Sequence, residues 1–155
     1  MKHQRREFVV KGSALSVLGL AAAAGLVPGI AAAQDWNKAA FETKSLADVV
    51  KALGGATPLE SKEIAIKAPD IAENGAVVPF EVTSKLPRTE SVAVLVEKNP
   101  NILAAQFSIP EGTEPFVVTR VKMGQTSNVH ALVKADGKFY YATKEVKVTL
   151  GGCGG

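Results

Sequence analysis

The stretch NVHALVKADGKFYYATKEVKVTL, residues 128–150, decides the fold. In its first part Val129, Ala131 and Val133 fall on one side, and His130 falls on the polar side. Near its end Val146, Val148 and Leu150 share one face, with Lys147 and Thr149 opposite. Successive side chains of a strand point to opposite faces, so period-two alternation marks strands with one buried face. Asp136-Gly137 separates the two runs. That dipeptide favours a type I′ turn, in which both central residues take positive φ, so a hairpin is expected over 128–135 and 138–150.

Working upstream, similar short runs occupy 116–123, 104–109, 91–97, 76–84 and 63–67. They are separated by Gly124-Gln125, Pro110-Glu111-Gly112, Asn99-Pro100-Asn101, Lys85-Leu86-Pro87 and Asn74-Gly75. Seven short strands at this spacing predict a mainly β chain, an immunoglobulin-like β-sandwich of about seven strands over 56–150. Before it, 34–55 reads as a short helical segment. Trp36, Ala39, Ala40 and Phe41 supply an apolar stripe, and Leu46, Val49, Val50 and Leu53 continue at helical spacing. Ser45 with Asp48 three residues on is a capping box. Gly54-Gly55 ends the segment and Pro58 prevents its return. A small helical lid packed on a core is the expectation, with no chemistry of its own.

Residues 1–33 read as a cleavable export signal. Arg5-Arg6 precede an apolar stretch over 12–26, and the run Ala31-Ala32-Ala33 offers an A-x-A cleavage site. The stretch is shorter than the ~20 apolar residues a spanning helix needs. The Arg pair with Phe8 resembles a twin-arginine signal, with Gln4 where Ser or Thr is usual. A periplasmic location follows, with no membrane attachment after cleavage. Removing 1–33 takes away Lys2, Arg5, Arg6 and Lys11 against Glu7 alone, which leaves 14 basic and 14 acidic residues among 122. A neutral mature chain gives no electrostatic case for nucleic acid or an anionic membrane.

Cys153 is the single cysteine, set in Gly151-Gly152-Cys153-Gly154-Gly155. In an oxidising compartment a lone cysteine cannot staple its own fold, so it pairs with another chain, carries something, or reacts. Four glycines make its surroundings thin and permissive in backbone conformation, so 151–155 reads as a flexible arm able to enter a narrow channel. No Lys, Arg or His adjoins the thiol to lower its pKa, so activation would have to come from the site it enters. The anchored strand, thin stem and single nucleophile describe a carrier: Cys153 for covalent attachment, Gly151, Gly152, Gly154 and Gly155 for the stem. Three readings compete with it. One is a structural or adhesive sandwich dimerised through a Cys153 disulfide. Another is a sulfur carrier using the Gly154-Gly155 carboxylate, which normally needs ATP inside the cell. The third is an exported copper domain using His130 and Met123, which lacks ligands. Lys144 and Lys147 lie near the arm and read mainly as a solvated face. No P-loop, dinucleotide fingerprint, nucleophile elbow or metal cluster is present in the sequence, so no cofactor is expected and the chain reads as no enzyme.

The arm resembles the terminal motif of the Y subunit of the Sox thiosulfate-oxidation carrier. The resemblance extends to Ala68-Pro69-Asp70-Ile71-Ala72-Glu73-Asn74-Gly75-Ala76-Val77-Val78-Pro79 and Val96-Glu97-Lys98-Asn99-Pro100-Asn101. Thr119-Arg120-Val121-Lys122-Met123 and Lys144-Glu145-Val146-Lys147-Val148-Thr149-Leu150 carry it onward into the arm. It implies a periplasmic carrier that holds sulfur intermediates on Cys153 and forms a heterodimer with a smaller Z subunit. It also implies three enzymes acting in turn: a haem-containing loading enzyme, a sulfate-releasing hydrolase and a sulfane dehydrogenase.

Overall fold

In the computed structural model, residues 37–149 are the described part of the chain. The expected export signal and the arm 151–155 lie outside it. Two helices come first, α1 (Lys38–Phe41) and α2 (Leu46–Ala52). Nine strands follow: β1 (Leu59–Glu60), β2 (Ile64–Lys67), β3 (Ile71–Ala72), β4 (Val78–Ser84), β5 (Thr89–Val96), β6 (Leu103–Ser108), β7 (Phe116–Val121), β8 (Ser127–Ala135) and β9 (Lys138–Val148). All seven expected strands are among them. The additions, β1 and β3, are two residues each and run parallel to β9.

The strands form two sheets, one ordered β1-β9-β8-β5-β6 with β3 also on β9, the other β2-β4-β7. They pack as an immunoglobulin-like sandwich. β8 and β9 form the hairpin that the sequence predicts, paired from Ala135↔Lys138 back to Ser127↔Val146. At its turn Asp136 has φ 50° and Gly137 φ 71°, the positive pair that type I′ requires.

Between the sheets lies the main core, which includes Val78, Phe80, Val82, Val92, Val94, Val129, Val133 and Val146. A second cluster sits on the outer face of the large sheet, where Ala40, Val49 and Val50 cover Ala93, Leu95, Leu132 and Phe139. The expected helical lid is therefore present. It explains the run from Val92 to Val96, buried at every position: β5 is covered by the small sheet on one side and by helices on the other, so alternation is lost there.

The helical segment differs from a single helix over 35–53. Ser45 adopts an extended backbone (φ −139°, ψ 155°) and its hydroxyl accepts from the Asp48 N–H. The capping box thus starts a second helix and breaks the first, since an N-cap residue cannot itself be helical. Asn37 caps α1 in the same way, accepting from the Ala40 N–H, and its amide donates to the Ala52 carbonyl at 2.9 Å, tying the start of one helix to the end of the other. Gly54 ends α2 at φ 77°. A Cβ on Gly55 would lie 2.3 Å from the Phe139 ring, so glycine there lets the chain close on the sheet.

Candidate functional site

The candidate site is the root of the C-terminal arm. Cys153, Gly151, Gly152, Gly154 and Gly155 lie outside the described residues, as do Arg5 and Arg6. What the structure describes is the strand that delivers the arm. Val146 is fully buried and Val148 packs against the main core, while Lys147 and Thr149 face out, as the alternation predicts.

Three consecutive backbone N–H groups fix this end. Lys147 donates to the Asp70 carbonyl at 3.0 Å and Thr149 to that of Ala72 at 3.2 Å. Between them, Val148 donates the other way, to the Thr126 hydroxyl at 2.9 Å. β3 therefore holds one side of β9. On the other side the ladder with β8 ends at Ser127, and a threonine side chain extends it by one bond. Gly75 closes the clamp. Its carbonyl accepts from the Met123 N–H at 2.7 Å, and a Cβ there would lie 2.4 Å from the Met123 carbonyl oxygen and 2.8 Å from Val148 Cγ1. Only a residue without a side chain permits that approach.

Lys144 has a structural partner. Its ammonium is 3.0 Å from Asp70 Oδ1 and donates to the Ala68 carbonyl at 2.6 Å. It thereby ties the segment leading into β3 to β9. Lys147 points to solvent. The clamp is not legible in the sequence, because a two-residue parallel strand leaves no periodicity. The signal available was Asn74-Gly75, a turn glycine beside the arm strand only in three dimensions.

His130 is half-buried, where its place on the polar side of the strand predicts a solvent-facing ring. It shares its face with Leu132, which the helices cover. Its Nδ1 is 2.8 Å from the Thr143 hydroxyl and its ring meets Tyr141 edge-on, centroids 6.3 Å apart. Burial pushes its pKa below 6.5, and Glu97 pulls weakly upward. Met123 is fully buried in the inter-sheet core, on the other side of the large sheet, so the two cannot share a metal. No group of three or more His, Cys, Asp or Glu among the described residues could hold one.

A cleft of about 340 Å³ lined by Arg88, Thr89, Glu90, Ile109, Glu111 and Asp136 lies at the hairpin end. Arg88 pairs with Asp136 at 2.7 Å, and Lys134 with Glu90 at 2.8 Å. That end is separated from the arm root by the length of β9, roughly 33 Å at ~3.3 Å per residue. Thr149 to Cys153 spans at most about 14 Å. The cleft is out of reach of the chain's own thiol.

Residues 49–153 match the family model for sulfur oxidation protein SoxY. The chain is similar to the solved sulfur carrier protein SoxY from Chlorobium limicola f thiosulfatophilum at 39% identity and TM-score 0.61, covering 66% of this chain and 94% of that one. A superoxide reductase (neelaredoxin) from Ignicoccus hospitalis is similar at 18% identity and TM-score 0.49, covering 56% of this chain and 79% of that one. No curated protein matches.

Proposed function

This chain belongs to the SoxY family of sulfur carrier proteins, and from that premise we propose that it is a periplasmic subunit carrying thiosulfate-derived sulfur on Cys153. The observation that supports this most is the extent of the family match. It runs from α2 through residue 153 and so includes the lone cysteine. The clamped root adds a physical reason, because a carrier needs a fixed point of departure for a mobile group.

The chemistry balances without a catalytic group in this chain. The Cys153 thiolate and the outer sulfur of thiosulfate join in a new S–S bond, and the two electrons released pass one at a time through the haem-containing loading enzyme to its electron acceptor. Water then attacks the terminal sulfonate sulfur. Sulfate leaves with two protons released, and a persulfide remains on Cys153 for a sulfane dehydrogenase. Exposed thiols without a basic neighbour are mostly protonated at neutral pH, so the loading enzyme supplies the activation. Export by the twin-arginine route of Arg5-Arg6, and a smaller Z subunit as heterodimer partner, complete the reading.

The test is thiosulfate-dependent electron transfer in a system reconstituted with the loading enzyme. Cys153→Ser is expected to fold as before and to abolish transfer. Intact mass of the chain from thiosulfate-fed cells is expected to show sulfur adducts on Cys153. Retained turnover in Cys153→Ser, or an undecorated disulfide dimer as the sole form, would overturn the reading.

A further inference from the structure

A line of hydrogen bonds runs from the helical lid to the end of β9. It starts at the bend between α1 and α2. There the Thr43 carbonyl accepts from the Ile102 N–H at 3.3 Å, and the Lys44 ammonium donates to the Pro100 carbonyl and, at 2.8 Å, to Asn101 Oδ1. The same β5–β6 loop then grips the β7–β8 connection. Asn99 Nδ2 donates to the Lys122 carbonyl at 2.8 Å, and the Lys98 N–H donates to the Ser127 hydroxyl at 3.0 Å. Between those two anchors lies Thr126, whose hydroxyl accepts from the Val148 N–H at 2.9 Å.

We infer that the β5–β6 loop, 97–102, is a strut that couples the helical lid to the end of β9, so that loosening the lid loosens Val148. The inference does not depend on the carrier reading. A coupling of this kind needs an element with two states, and the lid is that element. α1 has four residues and α2 seven, too few to be stable in isolation. Short peripheral units of this kind open locally at a fraction of the global free energy. When the lid lifts, Thr43 and Lys44 leave with it, and the loop loses the bonds to Ile102, Pro100 and Asn101 that place its other end.

The geometry makes the effect one-sided. Successive N–H groups of a strand point to opposite neighbours. Lys147 and Thr149 donate to Asp70 and Ala72 on the β3 side, whereas Val148 donates to Thr126 on the strut side. With the strut loose, the strand end is held from the β3 side alone. The weakest link is at the lid. Lys44, Pro100 and Asn101 are all exposed, and solvent-exposed hydrogen bonds are among the first that local motion opens. The Thr126 hydroxyl is half-buried and its bond to Val148 lies deeper, so its protection reports on the strut rather than on direct access of water.

The experiment is amide hydrogen exchange, followed residue by residue by NMR, on the chain purified with any subunit that accompanies it. Lys44→Met removes the ammonium and keeps the stem. Asn99→Ala removes the bond to Lys122. Each is expected to speed exchange at Val148 by about 5-fold or more, the lower end of ordinary coupling between sites, with Lys147 and Thr149 within about 2-fold of wild type. Lys44→Arg keeps a charged donor at that place and is expected to restore most of the protection of Val148. Lys38→Ala removes the exposed pair with Glu42, which lies within α1 and its cap, and is expected to change none of the three rates. An unchanged Val148 rate in Lys44→Met overturns the strut, whatever Asn99→Ala does. Equal acceleration at Val148, Lys147 and Thr149 overturns it too, because that is a general loss of stability with no path to one side. Both results leave the carrier reading to its own test with Cys153→Ser.

Discussion

Thr149 donates its backbone N–H to the carbonyl of Ala72 at 3.2 Å, so the described chain ends on a paired residue. That residue is held by β3, two residues long, whose position depends on the backbone approach of Gly75 to Met123 and Val148.

Gly75→Ala is expected to be the most damaging small change at the root. The added methyl would meet a backbone carbonyl at 2.4 Å, and backbone cannot rotate away as a side-chain tip can. Overpacking of this kind costs about 1–3 kcal/mol, and each kcal/mol lowers the melting temperature of a domain this size by about 4–8 °C. Thermal unfolding checks the size. Amide exchange at Ala72 and Thr149 checks the place, with faster exchange expected there than in the β5–β8 ladder. A melting temperature unchanged within 1 °C or so would mean that the turn shifts freely and that β3 is no clamp.

Most of the sandwich was legible in the sequence because its strands have one buried face and end at turn residues. The hairpin over β8 and β9 was the clearest, since alternation and Asp136-Gly137 agree. Legibility fell where a residue's role depends on distant chain. β1 and β3 are too short for a period. Ser45 carried the right capping signal, but a cap inside an apolar pattern reads as support for one long helix until its extended backbone is seen. Alternation puts His130 on the correct face of β8, but its half-burial is not legible, because the cover over that face comes from the helical segment some eighty residues earlier. Lys144 reads as a surface charge until Asp70 is brought beside it. Cys153 stood out for a different reason: its signal is compositional, one thiol among glycines, and needs no fold.

The imidazole of His130 gives the fold a pH dependence whose direction can be stated. Burial holds its pKa below 6.5, against a weak opposing pull from Glu97. Thr143 and Tyr141 are its other neighbours. The folded state therefore binds this proton less readily than the unfolded chain. The stability it contributes is fully present above the unfolded value near 6.5 and is lost as pH falls below it through the lowered folded value. His130→Gln is expected to flatten the decline of melting temperature between neutral pH and about pH 5. Parallel curves for the two proteins across that range would remove His130 as a source of acid sensitivity.

Ser45→Ala tests whether the lid is held by its cap. The Ser45 hydroxyl satisfies the Asp48 N–H at 3.1 Å, and loss of such a cap costs about 1 kcal/mol. A seven-residue helix has little stability of its own, so the loss should fall on α2 and on the contacts of Val49 and Val50 with Leu95 and Phe139. Ser45→Asp is expected to restore most of it, because Asp caps equally well. Equal melting for Ser45→Ala and wild type would show that packing alone holds the lid.

The last prediction separates the arm's length from its thinness. Deleting Gly151 and Gly152 brings Cys153 closer to Thr149 by about 7 Å, half of the available span. Replacing both with Val keeps the span but adds bulk and restricts the backbone. A small disulfide reagent needs neither reach nor a thin stem, so both variants are expected to react with it within about 2-fold of wild type, no charged group having been moved. An enzyme with a recessed centre needs both. The deletion is expected to lower turnover by about 100-fold or more, since a misplacement of even 1 Å can cost that much. The Val variant is expected to lose turnover to a lesser degree, because a strand with two branched residues can still extend fully. If the deletion retains turnover while the Val variant loses it, the partner's centre is shallow and thinness alone matters.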